Sequence, residues 1–145
     1  MSLPSHLTIE IVTPDRAIVH ETVDEARLPG AEGYLGVLPG HTPLLVKLQV
    51  GEIWFRRGTE TTYLHAAFGF AEILPDRIRI LARTAERADE INIERAEAAA
   101  ARARDRLASV SVADVDFERA RIALLKSLSR LQVARRIGMR SAGKR

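Results

Sequence analysis

Apolar and polar positions alternate along the first part of the chain. Leu7, Ile9 and Ile11 are separated by Thr8 and Glu10, and Thr13-Pro14-Asp15 then breaks the run. Ile53 and Phe55 stand among Glu52, Trp54 and Arg56 after Gly51, and Arg57-Gly58-Thr59 reads as a hairpin turn leading into Thr61–Ala66. Ile78, Ile80 and Ala82 are set among Arg77, Arg79 and Arg83 after Pro75-Asp76. A period of two gives each strand one core face and one solvent face. Short strands with Gly, Pro or Asp turns roughly every ten residues predict a sandwich or barrel. About 85 residues can supply two small facing sheets, with little surplus stability.

The period changes near residue 88. From Ala88 to Leu107 the chain is rich in Ala, Arg and Glu, which favour helix. Asn92 or Asp89 can cap its start, and Ile91, Ala96, Ala99, Ala103 and Leu107 form a stripe of mostly small residues. Val110-Ser111-Val112-Ala113 interrupts the pattern. Asp114 is an N-cap for a second helix, with Asp116 and Glu118 placed to suit its dipole. Phe117, Ala120, Leu124, Leu128, Leu131 and Ala134 follow as one apolar stripe. The basic, Gly- and Ser-containing stretch from Arg135 to Arg145 is expected to fray. The fold class is therefore α+β: an N-terminal all-β sandwich over residues 1–87, followed by a C-terminal antiparallel two-helix hairpin over 88–145. A lone hairpin buries little apolar area, so it must lean on something or exchange between partners. A weakly docked element of this kind is a natural switch.

Charge sharpens the division. Residues 1–88 carry 9 basic and 11 acidic side chains, net −2, whereas 89–145 carry 13 and 8, net +5. The cationic tail suits an acidic partner: protein, nucleic acid or anionic lipid. The chain has no cysteine, which excludes disulfides, thiolate metal sites and cysteine nucleophiles. His6, His20, His41 and His65 show no metal-ligand spacing, so no metal is expected. No apolar run approaches the roughly 20 residues that span a bilayer, and the first residues do not read as a secretory signal.

The most distinctive stretch runs from Leu28 to Leu45, LPGAEGYLGVLPGHTPLL, with four glycines and three prolines in eighteen residues. No Gly-Lys-Ser/Thr follows and no GxGxxG opens a helix, so a phosphate loop is excluded. Turn chemistry favours a rigid series of turns, with glycines at positive φ and prolines fixing φ. The stretch from Gly30 to Leu45 resembles the signature of the epsilon subunit of F-type ATP synthases, called delta in mitochondria. Phe70-Ala71-Glu72-Ile73 with Ile80–Ala88 is similar to that family's last strand, and Ile91-Asn92-Ile93-Glu94-Arg95-Ala96 to the opening of its helical tail. The likeness covers nearly the whole chain, in order.

The resemblance implies a non-catalytic central-stalk subunit of a proton-translocating rotary ATP synthase, peripheral on the cytoplasmic face of a bacterial plasma membrane. Its sandwich would clamp the gamma subunit and sit on the c-ring. Glu32, Gly33 and Tyr34 would face the c-ring, and Pro39, Gly40, His41 and Thr42 would lie near gamma. The extended tail would reach the beta and alpha subunits and inhibit ATP hydrolysis through Arg119, Arg121, Lys126, Arg130, Arg135 and Arg136. Read without the family, those cations are a solvated helix face, and His41 a histidine capping a turn. Some relatives bind ATP as a regulatory ligand, which implies Glu86, Ile91, Asn92, Arg95, Ala96 and Arg102 here. The acid of that motif is Asn92 in this chain, which keeps the capping oxygen and loses the carboxylate. No other cofactor is implied.

Two other classes compete. A nucleic-acid adaptor fits the basic tail, but only 5% of residues are aromatic, so base-stacking platforms are scarce. A small enzyme lacks a local nucleophile–base pair or paired carboxylates, although distant residues can converge in space.

Overall fold

The computed structural model describes residues 3–143, with side chains described as far as Ile137. It divides into two compact units, Met1–Arg87 and Ala88–Arg145.

The first unit holds seven strands: β1 (Leu7–Val12), β2 (Ala17–Val23), β3 (Glu25–Gly30), β4 (Gly33–Val37), β5 (Leu44–Arg57), β6 (Glu60–Leu74) and β7 (Arg77–Arg87). They form one continuous sheet in the order β2-β1-β7-β6-β5-β3-β4 rather than two separate sheets. All neighbours are antiparallel except β1 and β7, whose parallel pairing joins the two ends of the unit's sequence.

A bend in the three long strands folds this sheet over itself. Core-facing positions are even in the first half of β6 (Leu64, Ala66) and odd in the second (Ala71, Ile73). In β5 the core set switches from Leu48 to Ile53 and Phe55, and in β7 from Ile78, Ile80 and Ala82 to Ala85. Between the halves of β6 lie Phe68 at φ 62 and Gly69 at φ 118. The registers on both sides are unbroken, with Ala67 and Gly69 pairing to both neighbours on either side of Phe68. The backbone there takes a conformation that L residues rarely adopt, and the alternation passes to the opposite face. Gly69 is required twice over, because a Cβ would collide with the Leu81 carbonyl oxygen.

Three sequence readings change here. The 28–45 stretch is only partly turns: β3 and β4 form a hairpin around Ala31-Glu32, and the turns proper occupy 38–43. Gly51 lies inside the 14-residue β5 rather than before a strand. The expectation of short strands fails for β5, β6 and β7, of 14, 15 and 11 residues, because a bent strand keeps its ladder while its core face changes sides.

The second unit opens with a 3-10 turn, Ala88–Glu90, followed by α1 (Ile93–Ser109) and α2 (Val115–Gly143). Asn92 caps α1, its Oδ1 accepting the Arg95 amide at 3.0 Å. Asp114 caps α2 through the Asp116 amide, also at 3.0 Å. After the connection over 110–114, α2 packs along α1 and also meets the 3-10 turn that precedes it. That arrangement requires the two helices to run antiparallel.

The seam is built from small residues. Ala96, Ala100 and Ala103 are buried on α1, and Ala120, Ser127, Leu131 and Ala134 on α2. Ala100 replaces the expected Ala99, which is half-buried, and Ser127 replaces the expected Leu128, which is exposed. Ser127 can be buried because its hydroxyl donates to the Ala123 carbonyl one turn back, at 2.9 Å. α2 continues to Gly143, and of the stretch expected to fray, the side chains beyond Ile137 and the residues Lys144 and Arg145 lie outside the described residues.

Candidate functional site: surfaces of the sandwich and the helical tail

The β3–β4 hairpin tip is tied to β5. The Ala31 amide donates to the Lys47 carbonyl at 2.7 Å, and Gln49 Nε2 donates to the Ala31 carbonyl at 2.6 Å. Glu32 and Gly33 project at the tip, with Gly33 at φ 128. Tyr34 does not project in the same way. The Glu52 amide donates to its hydroxyl at 3.0 Å, and a Cβ at Gly51 would meet both that hydroxyl and Pro29. The ring therefore lies back across β3 and β5, which is why β5 needs glycine at 51.

Pro39, Gly40, His41 and Thr42 form the turn that carries the chain from β4 to β5. The Gly40 amide donates to the Pro75 carbonyl at 2.8 Å, fastening this turn to the β6–β7 turn. Gly40 sits at φ 86 and needs glycine for that reason. His41 Nδ1 lies 2.7 Å from the Thr42 carbonyl oxygen, within reach as a donor, and its backbone amide donates to the Leu38 carbonyl. So its ring stiffens the turn while remaining partly accessible.

Reasoning from the sequence missed the surface that follows this turn. Leu45, Leu81 and Phe70 are 71%, 61% and 52% exposed on the outer face of β5, β7 and β6. Phe70 pairs in register with Leu81, and Val12 of β1 pairs with Leu81 in turn. Glu10, Glu72, Arg79 and Lys47 surround them, with Arg79 and His20 both against Glu10. The signal was present: Leu45, Phe70 and Leu81 occupy solvent positions of an alternating pattern, where polar residues are the rule.

The cations of α2 do not share one face. Arg119, Lys126 and Arg130 recur at spacings of seven and four, whereas Arg121 and Arg135 share the opposite side with exposed Leu128. Arg119 pairs with Asp116, and Arg121 Nε donates to Glu118 at 2.9 Å. The hydrogen bond from Arg121 holds the Glu118 carboxyl below its ordinary pKa and raises that of Arg121. Of the residues implied for ATP, Glu86 is the next-to-last residue of β7, in the first unit. The rest lie in the second: Ile91 and Ala96 are buried, and Arg95 and Arg102 stand two turns apart on an exposed face of α1. Asn92 spends its oxygen on the cap. Among the described residues, no cluster of three or more His, Asp or Glu side chains gathers as a metal site.

Residues 6–88 match the family profile of the ATP synthase delta/epsilon chain beta-sandwich domain, and residues 89–135 that of its long alpha-helix domain. The chain belongs to the ATP synthase delta/epsilon family. It is 45% identical over 132 residues to the ATP synthase epsilon chain 2 of Syntrophotalea carbinolica, covering 91% of this chain and 96% of that one. It is 51% identical over 98 residues to the ATP synthase epsilon chain of Koribacter versatilis, covering 68% and 69%. A chain of the cryo-EM structure of the Euglena gracilis mitochondrial ATP synthase shares the fold, with a TM-score of 0.79 at 23% identity over 89% of this chain and 81% of that one. The delta/epsilon family thus accounts for both units, and their boundary falls where the two profiles meet.

Proposed function

We propose that this chain is the non-catalytic epsilon subunit of the central stalk of a proton-translocating F-type ATP synthase, peripheral on the cytoplasmic face of a bacterial plasma membrane. The sandwich couples c-ring rotation to the catalytic head through gamma, and the helical tail restrains ATP hydrolysis. The observation that carries the gamma contact is the exposed Leu45–Phe70–Leu81 surface, which the Pro39–Thr42 turn leads into directly. An apolar patch rimmed by charge on a rigid sheet is what a permanent protein partner covers. The occupant is gamma, because a rotor subunit must transmit torque through a surface that does not yield. The Glu32–Tyr34 tip serves the c-ring.

The tail's role rests on charge and on weak cohesion. Its seam buries mainly Ala and Ser, so the hairpin has little internal stability, and a few kcal/mol separate packed from extended arrangements. Extended, α2 offers cations on two sides to acidic loops of the beta and alpha subunits. Nucleotide is not required by this reading, since Asn92 supplies no carboxylate.

The test is ATP hydrolysis by the matching catalytic head with gamma, given either the full chain or residues 1–88. Both are expected to bind, and only the full chain to inhibit. Failure of both to bind removes the rotor assignment, and binding without inhibition removes the tail's role. Reversing charge at Arg119, Arg121 and Arg130 should relieve inhibition while leaving binding intact.

A further inference from the structure

The two flanks of β7 are held to different lengths. Its ladder with β1 runs from Arg77 to Leu81, opposite Thr8 to Val12, and β1 then gives way to the turn that opens at Thr13. Its ladder with β6 continues past Ala82 as far as Arg87, which pairs with Leu64. Beyond Leu81, among the described residues, β7 is thus laddered on one side. Its grip on the core is also slight there, because Ala85 is its last residue in the hydrophobic cluster. The boundary between the two compact units falls directly after Arg87. The thinly held end of β7 is therefore where the chain passes into the helical tail.

The Arg87 side chain bridges the flank that β1 leaves. The β1–β2 register steps from Ile11–Val19 to Val12–Ala17, so Ile18 is the extra residue of a β-bulge. Arg87 Nη2 donates to the Ile18 carbonyl at 3.1 Å, and the same nitrogen lies 3.8 Å from a Glu21 carboxylate oxygen. An ion pair that long and that accessible contributes little. The bond to the bulge carbonyl is the stronger tie, since its donor is charged. Ile18 packs against the core, so the guanidinium grips a fixed point.

We infer that Arg87 is a strut that fixes where the tail leaves the sandwich. It ties the end of β7 to the β2 bulge and confines rearrangement of the tail to the five residues 88–92 that precede α1. This is a positioning role, and it rests on the reading of the tail as a brake given above. Without the strut, β7 peels from β6 starting at its end. A few peeled residues lengthen the tether. Effective concentration of the tail at the catalytic head falls as roughly the three-halves power of tether length, and the frayed end must be reordered when the tail engages. The strut therefore acts on inhibition rather than on gamma binding.

The experiment compares the full-length wild-type chain with Arg87→Met, which keeps an unbranched stem without donors, and Arg87→Lys, which keeps the charge without the planar fork. Each is bound at saturation to the catalytic head with gamma, and residual ATP hydrolysis and amide exchange are both read. Arg87→Met is expected to speed exchange at residues 84–87 roughly tenfold, the effect of losing a charge-assisted hydrogen bond. It should also lower the ratio of inhibited to active complex roughly two- to threefold. Arg87→Lys should fall between, and the affinity of both for gamma should match wild type. If Arg87→Met does not fold, Arg87→Lys carries the same two readouts. Unchanged exchange at 84–87 overturns the strut. Faster exchange with unchanged inhibition makes Arg87 a sheet contact only, and overturns its regulatory role. A wild-type chain that binds gamma without inhibiting overturns the brake reading, and the strut's role with it.

Discussion

The Asp24 carboxylate accepts the backbone amide of Gly58 at 2.7 Å, joining the β2–β3 junction to the β5–β6 turn across thirty-four residues of chain. His6 and Arg56 complete the cluster, with His6 Nδ1 3.2 Å from the other carboxylate oxygen. The Gly58 amide is the main cause that holds the Asp24 carboxyl below its usual pKa, with His6 and Arg56 adding to it. A depressed folded-state pKa makes Asp24 stabilising above its unfolded value of about 3.9, and that contribution is lost as pH falls through the folded value. Asp24→Asn should therefore lower stability at neutral pH and flatten the acid limb of the stability profile. Urea titrations from pH 7 down to about pH 3 check this. An unchanged acid limb would remove Asp24 from that role.

Gly69 should tolerate no side chain. Gly69→Ala combines a positive-φ residue, costing about 1–3 kcal/mol, with a collision at the Leu81 carbonyl. Denaturant midpoints should show a large loss. Gly36→Ala, where a Cβ meets nothing, should stay within about 0.5 kcal/mol of wild type. Equal effects at the two positions would contradict the account of the bend.

Tyr34→Phe removes the acceptor for the Glu52 amide while keeping the ring beneath Arg27. A loss of about 1 kcal/mol is expected, as for an ordinary hydrogen bond. Amide exchange at Glu52 should accelerate, and that readout separates the hydrogen bond from the packing of the ring.

Asn92 tests the start of the tail. Asn92→Ala should cost the helix about 1 kcal/mol through loss of the cap, whereas Asn92→Asp should keep it and gain from the helix dipole. Exchange protection over the first turn of α1 reports both. Calorimetric titration with ATP of wild type and Asn92→Asp then shows whether the missing carboxylate alone separates this tail from nucleotide-binding relatives. Equal heats would show that it does not.

The sequence by itself determined the class of each half, because burial has a period. Leu7, Ile9 and Ile11 could only line one face of a strand, and Ala120, Leu131 and Ala134 one face of a helix. It also determined the cap Asp114 and narrowed the other to Asn92 or Asp89, because a cap's oxygen acts within three residues, and it determined the family, through the LPGAEGYLGVLPGHTPLL stretch. Only the tertiary structure decided that one sheet folds over itself at Phe68-Gly69, since a strand that changes its core face looks in sequence like two short strands. It alone decided that Tyr34 lies back on Gly51, that β1 pairs with β7, and that Leu45, Phe70 and Leu81 meet on one face. Those contacts join positions tens of residues apart, and local propensity has no term for them.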